Sequence, residues 1–234
     1  MLITEAKSME TDKISQSGVL SIKRSMYRMR RKTQPKIPKT KQETLTALTS
    51  KPLQHGTATE TNFEANIVCI YDPKAIGYIE DTQELFGDGT FRSCPKEFYQ
   101  IYTIIAHKNG NYIPVAFFLL PGKSMEIYIA MFQMFQKIYF QVNGAQILNK
   151  ILHLDFEKAA HDAAKNTLTG ITVKGCLFHL KQNWFRKIQE LGLASDYKDP
   201  ESEVGTFLKL TFGLPFLDYL EIYDSMMFLI TTNL

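Results

Sequence analysis

The order of apolar segments between residues 63 and 191 is the feature that most narrows the folds open to this chain. Residues 63–71 read as a strand closed by an Asp72-Pro73 turn. Residues 75–86 lead into a second strand that ends near residues 88–91. Residues 98–107, rich in aromatic and β-branched side chains, predict a further strand, with Lys108-Asn109-Gly110-Asn111 as a hairpin turn and residues 112–120 as the returning strand. Pro114 favours an edge position for that return. Ser124 then caps a helix to about residue 142, with Ile127, Met131, Met134, Phe135 and Ile138 on its apolar face and Asn143-Gly144 as its stop. Strand 147–154, helix 156–168, strand 171–177 and helix 179–191 follow, and residues 204–210 and 215–230 are helical. Hairpin-linked strands followed by helix-crossed strands require an α/β fold with a mixed sheet and helices on its faces.

Charge divides the chain differently. Residues 1–55 hold twelve Lys and Arg against four Asp and Glu, a net of +8, while the remainder holds fifteen against twenty, a net of −5. A basic arm on residues 1–55, its first twenty residues a polar disordered leader, thus precedes an acidic body on residues 56–234. The densest basic run spans residues 23–32, and Pro35 and Pro38 follow it; Thr40 begins a short helix to residue 48. Arg28, Arg30, Arg31 and Lys32 are the residues expected to meet DNA phosphates. Three cysteines, an odd number without paired spacing, fit reduced thiols inside a cell. No apolar run reaches the ~20 residues of a membrane span, so the expected location is intracellular, nuclear or cytoplasmic with nuclear entry.

Two aspartates stand at predicted strand ends. Asp88 lies in Phe86-Gly87-Asp88-Gly89-Thr90-Phe91; its ordinary use would be a turn. Asp155 lies in Leu154-Asp155-Phe156-Glu157; its ordinary use would be a helix N-cap. The strand order is that of the RNase H-like fold, whose first and fourth strands are parallel neighbours, so both acids would converge. Phosphodiester cleavage needs an activated nucleophile and a neutralised leaving oxygen, which two divalent ions roughly 3.5–4 Å apart can supply. Mg²⁺ and Mn²⁺ prefer hard carboxylate oxygens.

Five sequence words then occur in order. They are the basic run of residues 23–32 with Pro35 and Pro38; residues 86–91 with Pro95, Phe98, residues 100–104, Pro114-Val115, Leu119-Leu120-Pro121, Lys123 and Tyr128; Asp155-Phe156-Glu157-Lys158-Ala159; Gly175-Cys176-Leu177-Phe178-His179 with Gln182; and Leu210-Thr211-Phe212 with Pro215. Together they resemble the transposase domain of Mutator-like elements (MULE), over roughly residues 23–225. The resemblance implies an RNase H-like core of five strands, a two-metal Mg²⁺ or Mn²⁺ site, double-stranded DNA at transposon ends as substrate, and strand cleavage and transfer as activity; such a core admits homo-oligomers. It also implies a glutamate on a helix beyond the Cys-x-x-His block. Glu221 is the first choice as third catalytic and metal-binding acid, flanked by Asp218 and Asp224 on its helical face, with Glu157 as auxiliary acid.

Cys176 and His179 form the Cys-x-x-His pair, whose role the resemblance does not fix. A structural Zn²⁺ site needs four ligands, and no second pair stands at suitable spacing; His153 and His161 are the residues it would have to draw on. The rival to an active transposase is a domesticated or decayed derivative that binds DNA or protein without cutting. The stop at Leu234 just after the apolar residues 226–230 favours that rival, because it reads as a C-terminal truncation. An RNase H-type nuclease unrelated to transposition shares the acids but not the five words.

Overall fold

The computed structural model describes residues 16–33, 40–50 and 56–233. The chain divides into two compact units, Met1–Glu43 and Thr44–Leu234, each taken by itself below.

In the first unit, helix α1 (Gln16–Thr33) carries the basic run. Gln16 to Leu20, expected in the polar leader, belong to α1, while residues 1–15, like Pro35 and Pro38, lie outside the described residues. Val19, Ile22, Met26 and Met29 recur at helical spacing, which accounts for the helix. Residues 21–30 are all exposed, including Arg28 and Arg30. Thr40 starts α2 (Lys41–Ser50) as expected, its hydroxyl accepting from the Glu43 amide at 3.1 Å; from Thr44 on this helix belongs to the second unit.

The second unit is built on one sheet. Its strands are β1 (Ala58–Asn62), β2 (Ile67–Tyr71), β3 (Glu84–Thr90), β4 (Gln100–Lys108), β5 (Asn111–Leu120), β6 (Lys150–Leu154) and β7 (Ile171–Gly175), in spatial order β1-β2-β5-β4-β3-β6-β7. The sheet thus has seven strands where the sequence predicts five in the core. Of the two strands beyond those five, β1 has no counterpart in the sequence reading, and β2 is what remains of the segment read as a single strand over residues 63–71. A turn at Phe63 to Asn66 breaks it, with the Asn62 carboxamide accepting from the Ala65 amide at 3.0 Å and Asn66 at φ 55°. Four pairings are antiparallel; β3–β6 and β6–β7 are parallel, as their helical crossovers demand. Asp72 does not merely turn the chain: it caps the short helix α3 (Pro73–Gly77), accepting from the Lys74 amide at 2.9 Å.

β5 is interior rather than an edge, yet it tolerates Pro114. Pairing with β2 stops at Ala116, and against β4 the register shifts by one residue beside Pro114. The Asn109-Gly110 hairpin has both residues at positive φ, 52° and 76°, as a type I′ turn requires.

The main core lies on one face of the sheet. There α4 (Met125–Asn143) and α5 (Lys158–Thr167) bury Met131, Phe132, Phe135, Ile138, Ala160 and Ala163 against Leu85, Tyr102, Ile104, Phe118, Leu152 and Leu154. The buried stripe of α4 is wider than expected, taking in Tyr128, Phe132 and Tyr139. Ser124 caps α4 and Gly144, at φ 69°, ends it. A smaller cluster of Leu45, Val68, Phe98 and Leu119 forms separately. Beyond β7 come α6 (Leu177–Glu190), α7 (Ala194–Lys198), α8 (Glu203–Thr211) and a 3₁₀ turn (Leu214–Phe216) before α9 (Tyr219–Asn233). α7 lies in a stretch that reads as featureless, and the 3₁₀ turn splits the helix expected over residues 215–230. Among the described residues no helix is long and apolar enough to cross a membrane.

Candidate active site

The parallel pairing of β3 with β6 positions the two aspartates. Its register sets Gly87 opposite Leu154, so the residues that follow, Asp88 within β3 and Asp155 just past the end of β6, come side by side. Asp88 is not in a turn; it sits inside β3, opposite Thr103 of β4. Nor is Asp155 the cap of α5, because that position belongs to Glu157. Asp155 Oδ1 instead accepts from the Phe156 amide at 2.7 Å, and its carbonyl is 2.9 Å from His161 Nε2.

His179 bridges the pair. Its Nε2 is 3.3 Å from Asp88 Oδ1, and its Nδ1 is 4.0 Å from Asp155 Oδ1. The imidazole side chain is only 18 % exposed, whereas Asp88 and Asp155 are 46 % and 49 % exposed. Nδ1 is buried with no hydrogen-bond partner among the described residues. His179 belongs to the first turn of α6, so the positive end of that helix dipole adds to the attraction for the two carboxylates. Cys176 precedes the helix at its N-cap, and its amide donates to the Leu154 carbonyl at 2.7 Å, tying α6 to the end of β6. The Cys-x-x-His pair therefore has two separate placements: the cysteine backbone docks the helix and the histidine ring meets the acids.

The other face of β3 at this point has no side chains, because Gly87 and Gly89 flank Asp88. A Cβ on Gly87 would come within 2.6 Å of Leu154 Cδ2 and 2.7 Å of the Tyr102 hydroxyl, and one on Gly89 would overlap Gln100 Oε1. Buried polar ends thus fill the space the glycines leave. Tyr128 donates to Glu157 Oε2 at 2.8 Å and accepts from Gln100 Nε2 at 2.8 Å. Burial pushes the Tyr128 phenol well above its ordinary value; burial does the same to Tyr102, reinforced by Tyr128, Asp88, Glu157 and Asp155. Sequence reasoning found Tyr128 and Gln100 only as parts of family words; their link to Glu157 joins β4, α4 and the N-cap of α5.

Glu221 lies elsewhere. It is exposed on α9, hydrogen-bonded to the Asp218 amide at 3.4 Å, and no hydrogen bond or ion pair joins it to Asp88 or Asp155. Asp218 and Asp224 are likewise exposed. Among the described residues no group of three or more His, Cys, Asp or Glu gathers as a metal cage. His153 and His161 have other partners: His153 stacks on Phe86 with centroids 4.6 Å apart and meets Glu84 at 3.2 Å. Glu84 also meets His107 at 3.3 Å, a two-histidine clasp across β4, β3 and β6 that no sequence pattern signals.

Residues 85–183 match the MULE transposase domain, a span that begins in β3 and ends in α6 and so contains Asp88, Asp155, Glu157, Cys176 and His179. The matched span covers 99 of the chain's 234 residues. No curated protein matches the chain.

Proposed function

We propose that the MULE transposase domain of this chain is the catalytic core of a metal-dependent DNA transposase, cutting and joining phosphodiester strands at transposon ends. The observation that carries this reading is the convergence of Asp88, within β3, and Asp155, just past the end of the parallel neighbour β6, both beside His179. The order β5-β4-β3-β6-β7, with β3 and β6 parallel, supports an RNase H-like core extended by the β1–β2 hairpin.

The donor chemistry fits a hard divalent cation: two carboxylates, each about half open to solvent, both stand beside His179. Asp88 and Asp155 would hold Mg²⁺ or Mn²⁺. When bound, the ions supply activation of the attacking water or 3′-hydroxyl and neutralise the leaving oxygen. His179 stands beside both carboxylates, Nε2 nearer Asp88, and α6 lends its positive end to the same place. Arg28, Arg30, Arg31 and Lys32 supply phosphate contacts that hold duplex DNA without reading its sequence. Glu221 is the third acid that the family resemblance implies, and Glu221→Gln belongs in the same assay.

A second reading is a transposase-derived DNA- or protein-binding module that does not cut. The exposed position of Glu221 and its partnership with the Asp218 amide favour it. The test is nicking of a supercoiled plasmid by the full chain in Mn²⁺, with melting followed in parallel. Wild type should nick; Asp88→Asn and Asp155→Asn should not, while melting as cooperatively as wild type. A wild type that neither nicks nor gains stability from Mn²⁺ refutes the enzyme and leaves the binding module.

A further inference from the structure

Helix α1 carries six Lys and Arg and no Asp or Glu over residues 16–33. Phosphate contacts account for that charge, but not for the apolar side chains set among it. Ile22, Met26 and Met29 are spaced i, i+4, i+7, so they form one line along the helix, within about 60° of arc. They are 53 %, 42 % and 70 % exposed. Arg24 and Arg28 lie on the opposite side of the helix, and Lys23 and Arg30 run along one flank of the apolar line. DNA held by Arg24 and Arg28 would leave that line turned away from it.

What can cover the line is limited by charge and by width. A second copy of α1 would lay six positive charges against six, and in neither orientation would an opposite charge answer them, because the helix has no acid. A lipid surface takes a broad apolar face rich in Trp, Phe or Leu, whereas this line is one side chain wide and holds none of them. A narrow apolar line flanked by charge of one sign is the seam by which a helix enters the groove of another protein or pairs with a foreign helix. We propose that α1 is a docking helix for an acidic partner protein, with Ile22, Met26 and Met29 filling an apolar groove whose rim carries carboxylates that answer the charge beside the line. The helix then has two working sides, one for protein and one for DNA.

The experiment uses the full chain and a labelled synthetic helix with Leu at its a and d positions and Glu at its e and g positions, read by fluorescence anisotropy. The same peptide with Lys in place of each Glu, a duplex oligonucleotide and vesicles of anionic phospholipid are the other probes. Wild type should bind the acidic helix, more weakly as salt rises, and ignore the basic one. The double variant Met26→Gln with Met29→Gln keeps every charge, and glutamine is as good a helix former as methionine. It should bind the acidic helix about tenfold or more weakly, the loss of one buried methionine being worth about that factor, while binding the duplex as wild type does. If the double variant binds the acidic helix as wild type does, charge alone makes the contact and the proposal falls. It falls equally if wild type does not bind the acidic helix, or if what the double variant loses is vesicle binding or self-association in sedimentation.

Discussion

Replacing Gly87 with alanine tests the packing that surrounds Asp88. The added methyl would lie 2.6 Å from Leu154 Cδ2, 2.7 Å from the Tyr102 hydroxyl and 3.0 Å from Tyr102 Cε1. All these are closer than carbon atoms tolerate. Leu154 is fully buried and Tyr102 nearly so, within one cluster, so neither side chain can swing into solvent. Overpacking of this kind costs about 1–3 kcal/mol. The loss of glycine's backbone freedom in the unfolded chain returns about 0.4–1 kcal/mol. The net expectation is about 1–2 kcal/mol, which for a chain of this size lowers the melting temperature by about 2–8 °C. Differential scanning calorimetry of Gly87→Ala, Tyr102→Phe and the double variant would measure it. Removing the hydroxyl opens the space the methyl needs, so the double variant should recover much of the loss, with a coupling above about 0.5 kcal/mol. A Gly87→Ala protein that melts at or above wild type would refute the close approach of Tyr102 and Leu154 to this glycine, and with it the explanation of the glycines around Asp88.

Other parts of the molecule give three further expected outcomes. Neutralising Arg28, Arg30, Arg31 and Lys32 should weaken binding to all duplexes alike and flatten the salt dependence of the affinity by about 0.9 in log–log slope for each phosphate no longer neutralised; an unchanged slope would show that α1 does not touch DNA. Lys150, nearly buried, donates to the Glu80 and Thr82 carbonyls at 2.9 and 2.5 Å, so Lys150→Met should cost about 1–3 kcal/mol in chemical denaturation by leaving those carbonyls without a donor. Burial, aided by Glu60, pushes the Cys69 thiol well up, so iodoacetamide should label it only as the protein unfolds; since the unfolded thiol ionises first, Cys69 should make stability fall as pH rises from the ordinary thiol value toward the raised one. Labelling of Cys69 in the native protein at the rate of an exposed cysteine would contradict its burial.

Whatever a few neighbouring residues can enforce is legible in the linear chain. The Asn109-Gly110 hairpin, the Thr40 and Ser124 caps and the Gly144 stop can be read there because each rests on a φ preference or on a hydrogen bond spanning at most four residues. The alternation of strands and helices, and with it the parallel pairing of β3 and β6 that aligns Asp88 with Asp155, follows from patterns of the same local kind. Other features are settled only by tertiary structure. That the His179 ring lies between the acids while Cys176 only docks a backbone, and that Glu157 leans on Tyr128 and Gln100, depends on residues drawn together from up to 91 positions apart by sheet pairing and helix packing. Such pairings leave no period in the chain, because what selects them is the shape of the assembled core and the need of each buried polar atom for a partner, and both exist only once the strands are side by side.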